Sequence, residues 1–166
     1  MNHRLRTCMI CLPLALVAAC GSYDVTINER VVYTPEPLFT DFDIPDPALR
    51  ECIREAINDA RATDAGDVSS LSCTGAGIEN LAGLATFTEI EQLTLSSNNI
   101  VNISELAALS VLQVVYLDDN QIIDAVPLYQ LPALHRLDLS SNPGLICPPP
   151  GSLLRVSEVT LPKHCR

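Results

Sequence analysis

The feature that most constrains this chain is a segment that returns every 22 residues. Ile90-Glu91-Gln92-Leu93-Thr94-Leu95-Ser96-Ser97-Asn98 recurs as Leu112-Gln113-Val114-Val115-Tyr116-Leu117-Asp118-Asp119-Asn120. It recurs again as Leu134-His135-Arg136-Leu137-Asp138-Leu139-Ser140-Ser141-Asn142. One period back lie Val68, Leu71 and Cys73, with Ala76 at the asparagine place; one period on lie Val156, Val159 and Leu161, with His164 there. The connecting halves keep the same step. Ile78, Leu81, Leu84 and Phe87 match Ile100, Ile103, Leu106 and Leu109, then Ile122, Ala125, Leu128 and Leu131. A fixed period of this length predicts a coil of stacked turns, and five turns are visible.

The residue types specify what each turn does. Leu93 and Leu95 stand two apart, so in an extended strand they point to one side and Gln92 and Thr94 to the other. One short strand per turn, stacked, predicts a parallel sheet. The asparagines fall where the coil turns inward and leaves backbone groups unpaired, and an amide side chain both donates and accepts there. The spacing of three in Ile-x-x-Leu-x-x-Leu suits a tight 3₁₀ or extended return on the convex side. A helical bundle does not suit the Leu-x-Leu pairs or Asn142-Pro143-Gly144.

From Val68 to about Leu161 the L-x-x-L-x-L-x-x-N pattern resembles the leucine-rich repeat family, in the 22-residue form of bacterial internalin-like proteins. The expected fold is an α/β solenoid with a parallel sheet and an N-terminal capping helix. Raw core at the ends of a solenoid must be covered. Asp46-Pro47 reads as a helix cap followed by proline at the first helical position. Leu49, Cys52, Ile53, Ala56, Ile57 and Ala60 then give an apolar face. The resemblance implies that this helix lies over the first turn.

The chain begins with a different kind of segment. Arg4 and Arg6 precede an apolar run from Cys8 to Val17, which is too short to span a bilayer as a helix. The run closes on Val17-Ala18-Ala19-Cys20, which resembles the lipobox of bacterial lipoproteins and implies lipidation of Cys20. The expected organisation is a signal peptide over 1–19, an acidic tether over 20–45, a helical cap over 46–67 and repeats over 68–166. The tether carries Thr34-Pro35-Glu36-Pro37 and leaves room for a short strand at 31–33.

Of the seven cysteines, Cys8 and Cys11 leave with the signal and Cys20 is the anchor. Cys52, Cys73, Cys147 and Cys165 remain, which by count alone allow three pairings. With the capping helix placed as the resemblance implies, Cys52 faces Cys73, the residue replacing a strand leucine. Cys147 takes the inward position of Ile103 and Ala125, beside Cys165. The expected bonds are therefore Cys52–Cys73 and Cys147–Cys165, in an exported protein.

Without Arg4 and Arg6 the chain holds 8 basic and 20 acidic residues, a net of −12. That balance excludes a basic nucleic-acid binder. No serine, cysteine and histidine constellation starts a catalytic mechanism, so no enzyme and no cofactor are expected. Thr74-Gly75-Ala76-Gly77 lacks the lysine of a phosphate loop, and Asp41, Asp43 and Asp46 lack the glycine and terminal glutamate of an EF-hand. They read as a repeat turn and a solvated tether, with no metal.

Function is then expected on the outward side of the strands. Stacking aligns Ser70, Gln92, Val114, Arg136 and Glu158 in one row. A second row holds Ser72, Thr94, Tyr116, Asp138 and Thr160, and a third Thr74, Ser96, Asp118, Ser140 and Pro162. Tyrosine and arginine are the side chains most enriched as binding anchors. The expected partner-binding face is Gln92, Thr94, Val114, Tyr116, Asp118, Arg136 and Asp138, taking a protein partner with basic groups. The chain itself is expected to be a monomer, held to the outer membrane of the envelope by its lipid. Two other roles stay open: a structural envelope lipoprotein without a ligand, and a carbohydrate binder, disfavoured by the single aromatic on the face.

Overall fold

The computed structural model describes residues 25–27, 30–34 and 36–165. The expected signal peptide and the lipidated Cys20 lie outside the described residues. Two compact units divide near residue 36. The first contains a hairpin of β1 (Val25–Ile27) and β2 (Arg30–Tyr33), paired antiparallel.

The second unit is the solenoid. Its strands β3 (Ser70–Ser72), β4 (Gln92–Thr94), β5 (Val114–Tyr116), β6 (Arg136–Asp138) and β7 (Glu158–Thr160) form one parallel sheet in sequence order. The register equals the sequence period at each step: Leu71 pairs with Leu93, then Val115, Leu137 and Val159. Each middle residue points into the core. Leu71, Leu93, Val115 and Leu137 are at most 1% exposed. The convex returns contain 3₁₀ turns at Leu84–Thr86, Ser104–Ala108 and Val126–Leu128, each burying one leucine. Spacing of three suits that tight winding.

Helix α1 (Pro47–Ala60) starts where Asp46 accepts hydrogen bonds from the Ala48 and Leu49 N–H groups. Proline at the first turn forfeits no helical bond, because that N–H has no partner inside the helix. Leu49, Ile53 and Ile57 are buried over the first coil; Cys52 and Ala56 are half-buried, and Ala60 is exposed. The helix ends at Arg61 in the left-handed conformation, φ 55°.

The segment read as tether is in part something else. Residues 37–45 lie against the module, with Ile44 1% exposed and Leu38, Phe39 and Phe42 packed on the core. The chain's three phenylalanines cluster there. Phe39 and Phe42 meet the buried Phe87 edge-to-face, with centroids 6.1 and 5.7 Å away. Four apolar side chains on a short acidic stretch are better covered than solvated, which is why the strap docks. It crosses so near Gly83 that a Cβ there would lie 2.1 Å from the Asp43 carbonyl oxygen. Asp46 also departs from the solvated reading, being almost buried with both carboxylate oxygens occupied.

At the far end the register slips. Cys147 is exposed rather than inward, and Leu145 fills the buried place 23 residues after Ile122. The cause is Pro143: its nitrogen has no hydrogen to give, so the ladder resumes with Ile146 N–H donating to Ile123 O at 2.8 Å.

Candidate binding face

The sheet carries three outward rows, and the observed register places them side by side. Gln92, Val114, Arg136 and Glu158 are consecutive neighbours across β4 to β7, as are Thr94, Tyr116, Asp138 and Thr160. Gln92 is exposed, while Thr94, Val114, Tyr116, Asp118, Arg136 and Asp138 are half-exposed. Tyr116 sits on the central strand, between Thr94 and Asp138.

Asparagines hold the rim of this face. Asn98, Asn120 and Asn142 are 7, 4 and 0% exposed. The Asn120 amide donates to the carbonyls of Leu95, Leu117 and Asp118 and accepts from the Ile100 N–H. Asn98 and Asn142 repeat the scheme one period either side. The residue before each asparagine is left-handed: Ser97, Asp119 and Ser141 have φ of 56–58°, and Gly75 takes the same place in the first coil at 64°. Asp119 is exposed, next in the chain to the half-exposed Asp118.

The polar groups of the face are linked to one another. Ser96 Oγ donates to the Asp118 carboxylate. Asp138 Oδ1 accepts from the Ser140 N–H at 2.8 Å. Arg136 Nε donates to Glu158 Oε2 at 2.7 Å. That bond first, with the neighbouring Tyr116 hydroxyl and the charge of Glu158 adding to it, raises the guanidinium's pKa above its ordinary value. Reciprocally, the bond from Arg136 and then its charge lower the Glu158 carboxyl. Arg136 is thus not a free cation. Its Nε is committed to Glu158 on the neighbouring strand β7. Glu158 was in the first row but not among the expected contact residues; an acid one period after an arginine was the signal for it.

The other expected positions fall at the ends of the solenoid. Cys52 and Cys73 are bonded, with Cα atoms 5.9 Å apart, and Cys147 and Cys165 are bonded with 5.2 Å. Among the described residues one group has ligand atoms close enough to share a metal: Cys147, His164 and Cys165. Both sulfurs are in the disulfide, so the set offers no thiolate. His164 Nε2 lies 2.9 Å from the Leu145 carbonyl oxygen. A groove of about 420 Å³ runs between the strap and α1, lined by Leu38, Phe39, Phe42, Arg50 and Arg54. It is away from the strand rows, and Arg54 is paired with Glu51 at 2.7 Å.

Among solved structures, the chain is similar to an internalin, InlF, of Listeria monocytogenes, at 28% identity and a TM-score of 0.64. The match covers 73% of this chain and 37% of that one, so the chain spans little more than a third of that protein's length. Internalin C2 of the same organism matches at 16% identity and a TM-score of 0.45, covering 72% of this chain and 94% of that one. The functional domain of InlJ, also from Listeria monocytogenes, matches at 20% and 0.46, covering 58% and 26%. No family model matches the chain, and no curated protein sequence matches it. The repeat geometry and the likeness to InlF establish a short leucine-rich-repeat solenoid. Among the described residues no helix is long and apolar enough to cross a membrane.

Proposed function

We propose that this chain is a lipid-anchored protein of the bacterial envelope that binds a protein partner on the outward rows of its sheet, without catalysis. The observation that carries the reading is the placement of Tyr116. It is the one aromatic in the strand rows, half-exposed at mid-sheet, with Val114 beside it and a carboxylate rim of Asp118, Asp119 and Asp138. An aromatic with a polar tip is the usual energetic centre of an interface, and the rim favours lysine or arginine on the partner. Gln92 and Thr94 extend the contact surface on one side, and Arg136, held by Glu158, extends it on the other. The anchor rests on the Ala18-Ala19-Cys20 sequence, and the partner side of the membrane is taken as the outer membrane.

A photo-crosslinking amino acid at Tyr116, with a control at the exposed convex Ala108, tests the face in intact cells. The expected outcome is a discrete adduct from position 116 alone. Adducts from both positions, or from neither, would move the role to a structural spacer or to another surface. For the anchor, Cys20→Ser should shift the protein from the membrane to the soluble fraction. Retention in the membrane would refute lipidation there.

A further inference from the structure

Helix α1 covers the core of the first coil but stands beside the backbone of its strand without closing it. Strand β3 spends one side of its backbone on β4. Ser69 O accepts from the Gln92 N–H at 3.2 Å, Leu71 is registered with Leu93, and the Cys73 N–H donates to Thr94 O at 2.8 Å. Backbone groups alternate in direction along a strand, so those of Ser70 and Ser72 turn the other way. No described strand lies on that side. The chain leading into β3 is described from residue 36 onwards and runs through the strap and α1, so no earlier coil fills the place. The Ser72 carbonyl oxygen lies 3.3 Å from Cys52 Sγ, which sets this edge against the flank of α1. A disulfide sulfur has no hydrogen to donate, so that carbonyl stays unpaired. Both serines are exposed.

Between this edge and α1 runs a groove of about 280 Å³. It stays open because the helix lines it with Ala56 and Ala60, and the serines opposite are also small. Its lip carries Glu55 and Asp59, which stand four apart and so share one side of the helix. Both are exposed, and neither belongs to an ion pair among the described residues, where the pairs are Arg54–Glu51 and Arg136–Glu158. An unpaired strand edge is a template for another strand. Two unneutralised carboxylates beside it decide which strand enters, because an acidic segment is repelled and a basic one attracted.

We propose that this groove takes an extended, lysine- or arginine-bearing peptide segment of a partner protein, which adds to the sheet beside β3. The N–H and C=O groups of Ser70 and Ser72 hold the segment by its backbone, and Glu55 and Asp59 select it by charge. In strand addition of this kind the main-chain bonds carry the affinity and the side chains beside the edge carry the specificity. The chain's own acidic segments are poor occupants for the same reason that a basic one is a good one. The site lies two strands from Tyr116 and stands apart from the reading of the outward rows.

Fluorescence anisotropy of a labelled Lys-Val-Lys-Val-Lys peptide, titrated with the full chain, tests this; Cys20→Ser in the chain keeps acyl groups out of the measurement. The expected result is saturable binding, with no binding of Glu-Val-Glu-Val-Glu. Glu55→Gln combined with Asp59→Asn, both at exposed positions, weakens binding about tenfold or more. Methylating the backbone nitrogens of either the valines or the lysines leaves the charge of the peptide intact, and at least one of the two patterns abolishes binding. These peptides leave the protein untouched, so they decide the matter even if circular dichroism shows that the double variant does not fold. Amide NMR locates the site: the resonances of Ser70 and Ser72 move on titration and those around Tyr116 stay. No binding, equal binding of the acidic peptide, an affinity unchanged in the folded double variant, or an affinity unchanged by both methylation patterns overturns the proposal. Resonance shifts centred on Tyr116 also overturn it and place the peptide on the outward rows, so the two readings fail separately.

Discussion

The amide of Asn120 satisfies carbonyls on two coils and one N–H between them, in a place water does not reach. Asn120→Ala leaves those groups unpaired and should cost about 1–3 kcal/mol. Asn120→Asp should cost more at neutral pH, since a carboxylate cannot donate and is aimed at carbonyl oxygens. Denaturant melts of the two variants check the order. Asp46 joins a different pair of elements: Oδ1 caps α1, and Oδ2 accepts from the Glu79 and Asn80 N–H groups at 2.9 and 3.0 Å. Burial alone raises its carboxyl pKa, but the bonds from Leu49, Glu79, Asn80 and Ala48 outweigh that and lower it below the ordinary value. A depressed folded-state pKa contributes stability that is complete above the unfolded value near 3.9 and is lost as pH falls through the folded one. Asp46→Asn, which cannot accept at both positions, should therefore be less stable at pH 7 by about 1–3 kcal/mol. The gap should narrow as the wild type is taken to about pH 2. A gap independent of pH would show that the carboxylate charge does not matter.

At the scale of elements, the strap over 37–45 is held by Phe39, Phe42, Ile44 and the contact at Gly83. Gly83 has φ +87°, and its counterparts in the next coils are Glu105 and Pro127. A side chain at Gly83 meets both an unfavourable backbone and the Asp43 carbonyl. Gly83→Ala should destabilise by about 2–4 kcal/mol and free the strap, visible as faster proteolysis between Leu38 and Asp43. Ala108→Ser, at an open convex position, should be inert. The helix start at Asp46-Pro47 was legible in the sequence, because a cap is set by residues adjacent in the chain. The strap was not: its acids and prolines outweigh its four apolar residues in any local reading, and only the presence of Phe87, which the strap helps to bury, gives those residues somewhere to go.

For the whole molecule, stability is transmitted coil to coil, because each coil touches its neighbours and little else. Amide hydrogen exchange should be slowest in β4 and β5, which are covered on both sides, and fastest in β7. Replacing Cys147 and Cys165 by serine should lower protection in β7 and the last returns while leaving β3 and β4 as they were. The chain-entropy loss is about 3 kcal/mol for a loop of that length. Uniform loss of protection would mean that the solenoid unfolds as one cooperative block. What the sequence by itself determined is whatever obeys the period: five coils, strand register, which side of each strand is core, and the asparagine ladder. In a regular coil a residue's neighbours lie one period away, so spacing is also geometry. What only the tertiary structure decided lies off the period. The docking of the strap, the second pair of bonds to Asp46, the slip at Pro143 and the pairing of Arg136 with Glu158 depend on side chains meeting through space. Their partners are chosen by packing and charge, which no local spacing encodes.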